Sequence, residues 1–361
     1  LGNSSKTSFK LKVLGTTAFR VYGTSGAFNT SAANACTGGL AVNGANCLSA
    51  PRGLVFDSND NLYVADSGNH RVLFFQKGNT TATIVYGQND FNSGGINRGG
   101  STAQNSLRTP QGITFSPTGE LYIADADNNR VVVYPKDSNS TANRVIGKTG
   151  SFTNNVSGTN IDSFSATGNI TFDSQGNFYI ADVTNHRVLY YPSGTFTPTK
   201  VYGQPNFITG TSGTTQITLS FPISVTVHPT RGDLYLMDQL NKRILFYGTS
   251  ESTTPSSITF GQTIYTTSNT ACNSTSFNAG PTDAAFDSND ALFFTDSGGG
   301  HRVLVMPFPY TSVTRVFGQT NLVTCNGTSS ATGLNNPQWL EFDSFGNLYV
   351  SDTGNNRILV F

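Results

Sequence analysis

The sequence predicts an all-β fold: a six-bladed propeller of four-stranded antiparallel blades. Three observations predict it. The stretch "NLYVADSGNHRVLFF" from Asn61 is the first of six similar copies, with the aspartate at Asp66, Asp125, Asp182, Asp238, Asp296 and Asp352, a period of 56 to 59 residues. Periods of this size signal repeated supersecondary units, and each copy offers four short strand signals, the content of one propeller blade. Finally, the two ends of the chain supply complementary parts of one blade. Joining them would close the ring by main-chain pairing and leave no open sheet edge.

The elements follow in order. Residues 1–16 read as an N-terminal extension and 17–361 as a single propeller domain. Within the extension, Phe9, Leu11 and Val13 alternate with Lys10 and Lys12, which predicts a short extended segment with one apolar face. It would lie along the closing blade, or act as an arm that adds a strand to another molecule. "FRVYG" at 19–23 is a fourth strand without the other three, and the chain reaches Phe361 after the third strand of the last copy. The N-terminal strand is therefore expected to complete the C-terminal blade.

Each repeat opens with a run such as "PRGLVF" from Pro51 or "PQWLEF" from Pro337, ended by a turn rich in Asp, Ser, Asn and Gly, residues that supply turn geometry. The Asp-bearing strand follows, then a strand that starts at Arg71, Arg130, Arg187, Arg243, Arg302 or Arg357. A short run ending in glycine, such as "IVYG" at 84–87, makes the fourth strand. Between that glycine and the next blade lie long loops of 18 to 27 residues, all on one face of the disc. Loops of this length are functional or packed by their own side chains. Leu48, Leu107, Phe164, Leu219, Phe277 and Leu334, three or four residues before each new blade, read as anchors that tuck them down.

"GNLYVSDTGNNRILVF" from Gly346 and its sister copies resemble the NHL-repeat family, over essentially all of Thr17 to Phe361. The resemblance implies a six-bladed propeller, in agreement with the strand count. The fourth copy, "HPTRGDLYLMD", departs by one extra turn residue before Asp238, and the fifth has an extra glycine between Asp296 and Arg302.

Composition narrows the function. The formal net charge is zero and only 12% of residues are charged; without clustered Lys and Arg, a nucleic-acid partner is not expected. No apolar run reaches the roughly 20 residues of a membrane-spanning helix. Leu1 is not preceded by a charged and an apolar leader region, as expected if a secretory leader has been removed or lies outside this sequence. Asn-X-Ser/Thr sequons at Asn3, Asn29, Asn79, Asn139, Asn155, Asn273 and Asn326 predict N-linked glycans. An eighth, Asn169, falls where other repeats have Gly53 or Gly112, beside the channel, and is set apart. Four cysteines in polar loops predict disulfides in an oxidising compartment. Of three possible pairings, Cys36–Cys47 and Cys272–Cys325 are expected.

Six equivalent Asp–Arg pairs (Asp66/Arg71, Asp125/Arg130, Asp182/Arg187, Asp238/Arg243, Asp296/Arg302, Asp352/Arg357) cannot all face one substrate. They read as structural clamps: the aspartate accepts turn amides and the arginine offers its planar fork. His70, His186 and His301 share their position with Asn129, Lys242 and Asn356, which marks a turn position and no metal ligand. On the predicted inner strands only Asp283, Glu341 and Asn169 carry oxygens suited to a cation, and they are expected to be solvated at the channel mouth; a calcium site built from them is the lesser expectation. No catalytic residue, cofactor or metal is assigned. The sequence thus predicts a secreted or cell-surface, non-enzymatic glycoprotein acting as a protein-binding or assembly module, with self-association among its expected partners. The alternative is a metal-dependent hydrolase or lyase working in the axial channel.

Overall fold

The computed structural model describes residues 14–33, 44–136, 141–248 and 252–361. Six four-stranded antiparallel sheets form the six blades of a propeller. The inner strands are Pro51–Phe56, Pro110–Phe115, Thr167–Phe172, Pro222–Val227, Ala284–Phe286 and Pro337–Phe342 for blades 1 to 6. Among the described residues the only helical elements are 3-10 turns of three or four residues. None is long and apolar enough to cross a membrane.

The shared blade is present. Arg20–Tyr22 pairs antiparallel with Arg357–Val360 in the register Arg20↔Val360, Val21↔Leu359 and Tyr22↔Ile358. Phe19 N–H adds a bond to Val360 O at 2.9 Å. Ala18 N–H reaches Ala331 O at 2.8 Å, and Leu14 is buried against blades 5 and 6. The alternating residues Phe9 to Val13 lie outside the described residues.

The core sits between neighbouring sheets, where buried aliphatic and aromatic side chains from adjacent blades interleave. The glycine that ends each fourth strand explains the loop anchors. Gly23, Gly87, Gly147, Gly203, Gly261 and Gly318 all have φ between 83° and 105°, a conformation that favours glycine. Each also lies against its anchor: a Cβ would come within 2.8 Å of Leu48 Cδ1 at Gly23 and 2.7 Å of Phe164 at Gly147. All six anchors are fully buried. Each long loop is thus pinned where its anchor covers a bare glycine.

Three close backbone approaches draw blades 1 to 4 together at the axis. A Cβ on Gly53, Gly112 or Gly168 would collide with Gln111 O, Asn169 Cα or Ile223 O of the next blade. Blade 5 differs. Its inner strand has only three residues, Ala284–Phe286, and its Asp-to-Arg turn, like that of blade 4, is not a 3-10 turn.

Candidate functional site: the riveted loop face and the axial cavity

Each Asp–Arg pair is fully buried, with Arg Nε 2.6 to 3.0 Å from Asp Oδ2. In five blades a third member joins, which the sequence displays at a fixed place and the Asp–Arg reading left out. Asn69, Asn128, Asn185, Asn241 and Asn355 each donate Nδ2–H to the same carboxylate at 2.8 Å. The other oxygen takes the N–H of the residue after the loop anchor, as Ser49 N–H does on Asp66 at 2.7 Å. Burial pushes the Asp182 and Asp238 carboxyls up to about 6, while Arg187 and Arg243 pull them back.

The arginine fork corrects one expectation. It is not spent on the aspartate; in five of the six blades only Nε meets it, and the two terminal nitrogens hold the long loops. Arg71 donates Nη2–H to Gly44 O and Cys47 O at 3.0 Å in the loop entering its blade, and Nη1–H to Phe91 O at 2.5 Å in the loop leaving it. Arg243 does the same with Thr215 O and Thr218 O at 2.9 Å and Tyr265 O at 2.5 Å. Arg357 reaches Phe28 O, Ser330 O and Gly333 O. Every arginine therefore rivets two successive loops, and the loop face is held in one arrangement by buried charge-assisted bonds.

The position before the arginine also has a defined role. His70 Nδ1 accepts Thr109 N–H, His186 Nδ1 accepts Phe221 N–H and His301 Nδ1 accepts Asn336 N–H, at 3.0 to 3.1 Å. Asn129 and Asn356 offer Oδ1 to Ala166 N–H and Ala50 N–H in the same way. Each bond ties one blade to the start of the next, and the last closes the ring. His and Asn interchange because both present an acceptor. Lys242 has none and directs its ammonium to Ser268 O. At that junction the link lies on the opposite face: Asp290 receives Arg231 Nη1–H at 2.6 Å and Tyr310 O–H at 2.7 Å, and lies 2.5 Å from His228 Nε2. These bonds hold the Asp290 carboxyl down at about 2.

Cys272 and Cys325 form a disulfide that joins the loops on either side of blade 5. Cys47 is disulfide-bonded; its expected partner Cys36 lies outside the described residues, as do Asn3 and Asn139. Asn29, Asn79, Asn155 and Asn326 are exposed, Asn273 is half-buried, and Asn169 faces the axis.

At the axis, the third residues of the inner segments, counted in blade 5 from Pro281, are Gly53, Gly112, Asn169, Ser224, Asp283 and Trp339 from blade 1 to blade 6. The fifth residues are Val55, Thr114, Thr171, Thr226, Ala285 and Glu341. Asn169, Asp283 and Trp339 of the third layer, with the fourth and fifth residues, line a cavity of about 270 Å³. No residue from the first two positions lines it, so it closes at the third layer and opens away from the long loops. Asp283 is 4% exposed, which corrects the expectation of a solvated carboxylate there, whereas Glu341 is half-buried. Its Oδ1 accepts Ser224 Oγ–H at 2.8 Å and faces Asn169 Nδ2 at 3.5 Å, and its Oδ2 accepts Leu340 N–H at 3.2 Å. Burial pushes Asp283 up to about 8 and Glu341 up to about 7. Asn169 turns its amide nitrogen toward Asp283 and its oxygen toward its own strand, an arrangement that does not suit a calcium ion, which takes oxygen ligands. No group of three or more His, Cys, Asp or Glu converges among the described residues.

The comparisons agree with this architecture. Residues 48–75 and 107–134 match the sequence profile of the NHL repeat, described as such. Blades 1 and 2 carry NHL repeats. The two matched stretches run from a loop anchor through the first three strands of blades 1 and 2, and so contain the Asp–Asn–Arg rivet and the interblade histidine or asparagine. No curated protein matches the sequence. Among solved structures, a Bacteroides thetaiotaomicron protein of unknown function superposes with a TM-score of 0.59 at 14% identity, over 87% of this chain and 70% of its own. An auxiliary nutrient binding protein from the same species gives 0.57 at 13% identity, over 87% and 69%. Its Bacteroides ovatus counterpart gives 0.54 at 16%, over 88% and 69%. At such identities the likeness is one of fold.

Proposed function

We propose that this NHL propeller is a secreted or cell-surface, non-catalytic glycoprotein that binds a protein surface, a second copy included, through the long-loop face of blades 3 and 4. One observation carries the reading. The loops at 204–221, 262–281 and 319–336 contain no Asp, Glu, Lys, Arg or His, yet six buried arginines hold the loop face in place. Protein interfaces are depleted of charge at their centre, and a pre-ordered surface loses little entropy on binding.

The sequons sharpen the location. Asn155, Asn273 and Asn326 fall in the loops before blades 3, 5 and 6, and the loop at 204–221 has none. That glycan-free window exposes Ile208 (71%), Ile217 (55%) and Leu240 (52%), with Ile264 (54%) at its border. Leu240 N–H bonds to Ser220 O of the same loop at 3.1 Å. The disulfide and the sequons support an oxidising, extracellular setting.

The test is the mass of the secreted protein in solution before and after Ile208→Lys with Ile264→Lys. Self-association lost in the variant, with an unchanged melting temperature, is expected. For a monomeric native protein, the expected result is that a cross-linker attached at Ser220 captures a partner in the native protein and fails in the variant. Equal behaviour of the two proteins in both assays contradicts the reading.

A further inference from the structure

The axial cavity has a chemistry that the loop-face reading does not use. Asp283 and Glu341 enter it from neighbouring blades with no cation to balance them. No Lys, Arg or His lines the cavity. Arg52, the other charged residue of the inner strands, stands at a second position and is not among the lining residues. The remaining wall is mixed, with Thr114, Thr171 and Thr226 beside Leu54, Ile113, Ile170 and Val225 from blades 1 to 4.

The second observation is independent of the carboxyls. Trp339 lines the same cavity and is 3% exposed, and its indole N–H has no hydrogen-bond partner. A buried donor left unpaired carries the full cost of its lost hydration, which an acceptor supplied from outside the chain would relieve. The cavity, about 270 Å³, sits just below the usual range of roughly 300–1,000 Å³ for ligand sites, room for a molecule of few heavy atoms.

We propose that the axial cavity binds a small hydroxylated amine, its ammonium on the Asp283 and Glu341 carboxyls and its oxygen on the Trp339 indole N–H. The two acids supply acceptors without competing cations, the indole supplies a buried donor, and Leu54, Ile113, Ile170 and Val225 offer apolar surface to a short carbon chain. Trp339 and Phe286 add aromatic surface of the kind that attracts ammonium groups. Burial holds the two carboxyls toward their neutral forms, at about 8 and about 7. An ammonium beside them favours the charged form, so binding releases protons and tightens as pH rises from 6 to 8.

The chain contains a single tryptophan, Trp339, and its fluorescence reads the cavity directly. Ethanolamine, ethylene glycol and calcium chloride are titrated in turn into the full-length protein at pH 6 and pH 8. Ethanolamine is expected to give a saturable change, roughly tenfold tighter at pH 8. Ethylene glycol, which keeps the size and the oxygen but not the charge, is expected to give none. Glu341→Gln is expected to weaken ethanolamine at least about tenfold, as expected for loss of a charge-assisted partner; Asp283→Asn is expected to act likewise. Melting temperatures report folding, and Glu341→Gln decides if the Asp283 variant does not fold. No saturation with ethanolamine, an equal response to ethylene glycol, unchanged affinity in folded Glu341→Gln, or the same change with calcium alone each overturns the proposal.

Discussion

Blade 5 and the five other blades are built from one repeat and held by different means. In the regular blades, local devices do the work: an Asp–Asn–Arg rivet and, at every junction except the one into blade 5, a His or Asn acceptor for the next blade's amide. Blade 5 has Gly299 where the others have asparagine, and it follows Lys242, which cannot accept. It keeps its Asp296–Arg302 pair and is bracketed in addition by long-range devices. The Cys272–Cys325 disulfide spans it on the loop face. On the other face Asp290 binds His228 and Arg231 of blade 4. The same irregular blade supplies Asp283 to the axis. Where the repeat is broken, distant residues restore the connection and the ring gains its one buried acid at the third layer.

The largest effect is expected in a regular blade. Arg187→Ala leaves Asp182 buried without its cation and frees four loop carbonyls; loss of one partner of such a pair costs about 3–5 kcal/mol. Chemical denaturation measures it, and the same variant should lose loop-face binding, because the rivet and the surface are one structure. A loss below about 1 kcal/mol would mean that the loops are held by their anchors alone.

Next comes the bracket of blade 5. Cys272→Ser with Cys325→Ser opens a link across 53 residues of sequence, and removal of such a crosslink is expected to cost about 2–4 kcal/mol. Asp290→Asn, on the opposite face, should add to that loss without affecting the other junctions.

The pH dependence separates the junctions from the axis. Burial lowers the pKa of His70, His186 and His301, and each must be neutral at Nδ1 to accept an amide. The unfolded chain therefore takes up these protons first. Stability from these bonds is present above the usual histidine value of about 6.5 and falls as pH drops below it. The triple change of His70, His186 and His301 to Asn should flatten that acid slope. Asp283 and Glu341 act in the opposite sense: with pKa values raised to about 8 and about 7, their contribution is full below about pH 4 and is lost as pH rises through 7 to 8. Asp283→Asn should remove much of the alkaline slope. Melting temperatures from pH 5 to 9 test both.

The smallest effect is expected at a single junction. His186→Asn keeps an acceptor and should cost little. His186→Ala leaves Phe221 N–H unpaired and should cost about 1–3 kcal/mol in urea unfolding, still well short of Arg187→Ala.

Much of the frame was legible in the sequence because it is periodic. Six aspartates at one spacing, the anchor residues and the complementary ends could be read directly, and "FRVYG" could be assigned to the last blade before any pairing was known. The rivet's asparagine was also visible in five copies, but a turn rich in Asn hides one that bonds inward. The histidines were harder. His and Asn interchange in the sequence says turn, and only the geometry shows that Nδ1 and Oδ1 share the task of accepting the next blade's amide. The axial residues were the least legible. Asp283, Ser224 and Trp339 occupy one position in three different blades, and a position that changes from glycine to tryptophan around the ring gives no repeat signal. Burial of Asp283 depends on neighbours from blades 3, 4 and 6, which no local stretch encodes.

The central claim is that long-range links support blade 5 where its copy of the repeat lacks the rivet asparagine and the acceptor on the blade before it. Hydrogen exchange measured by mass spectrometry on the native protein and on the Cys272→Ser, Cys325→Ser variant tests it most directly. Faster exchange confined to residues 281–317 and the junction with blade 4, with blades 1 to 3 unchanged, is the predicted result. Loss of protection spread evenly around the ring, or greatest in blades 1 to 3, would contradict it.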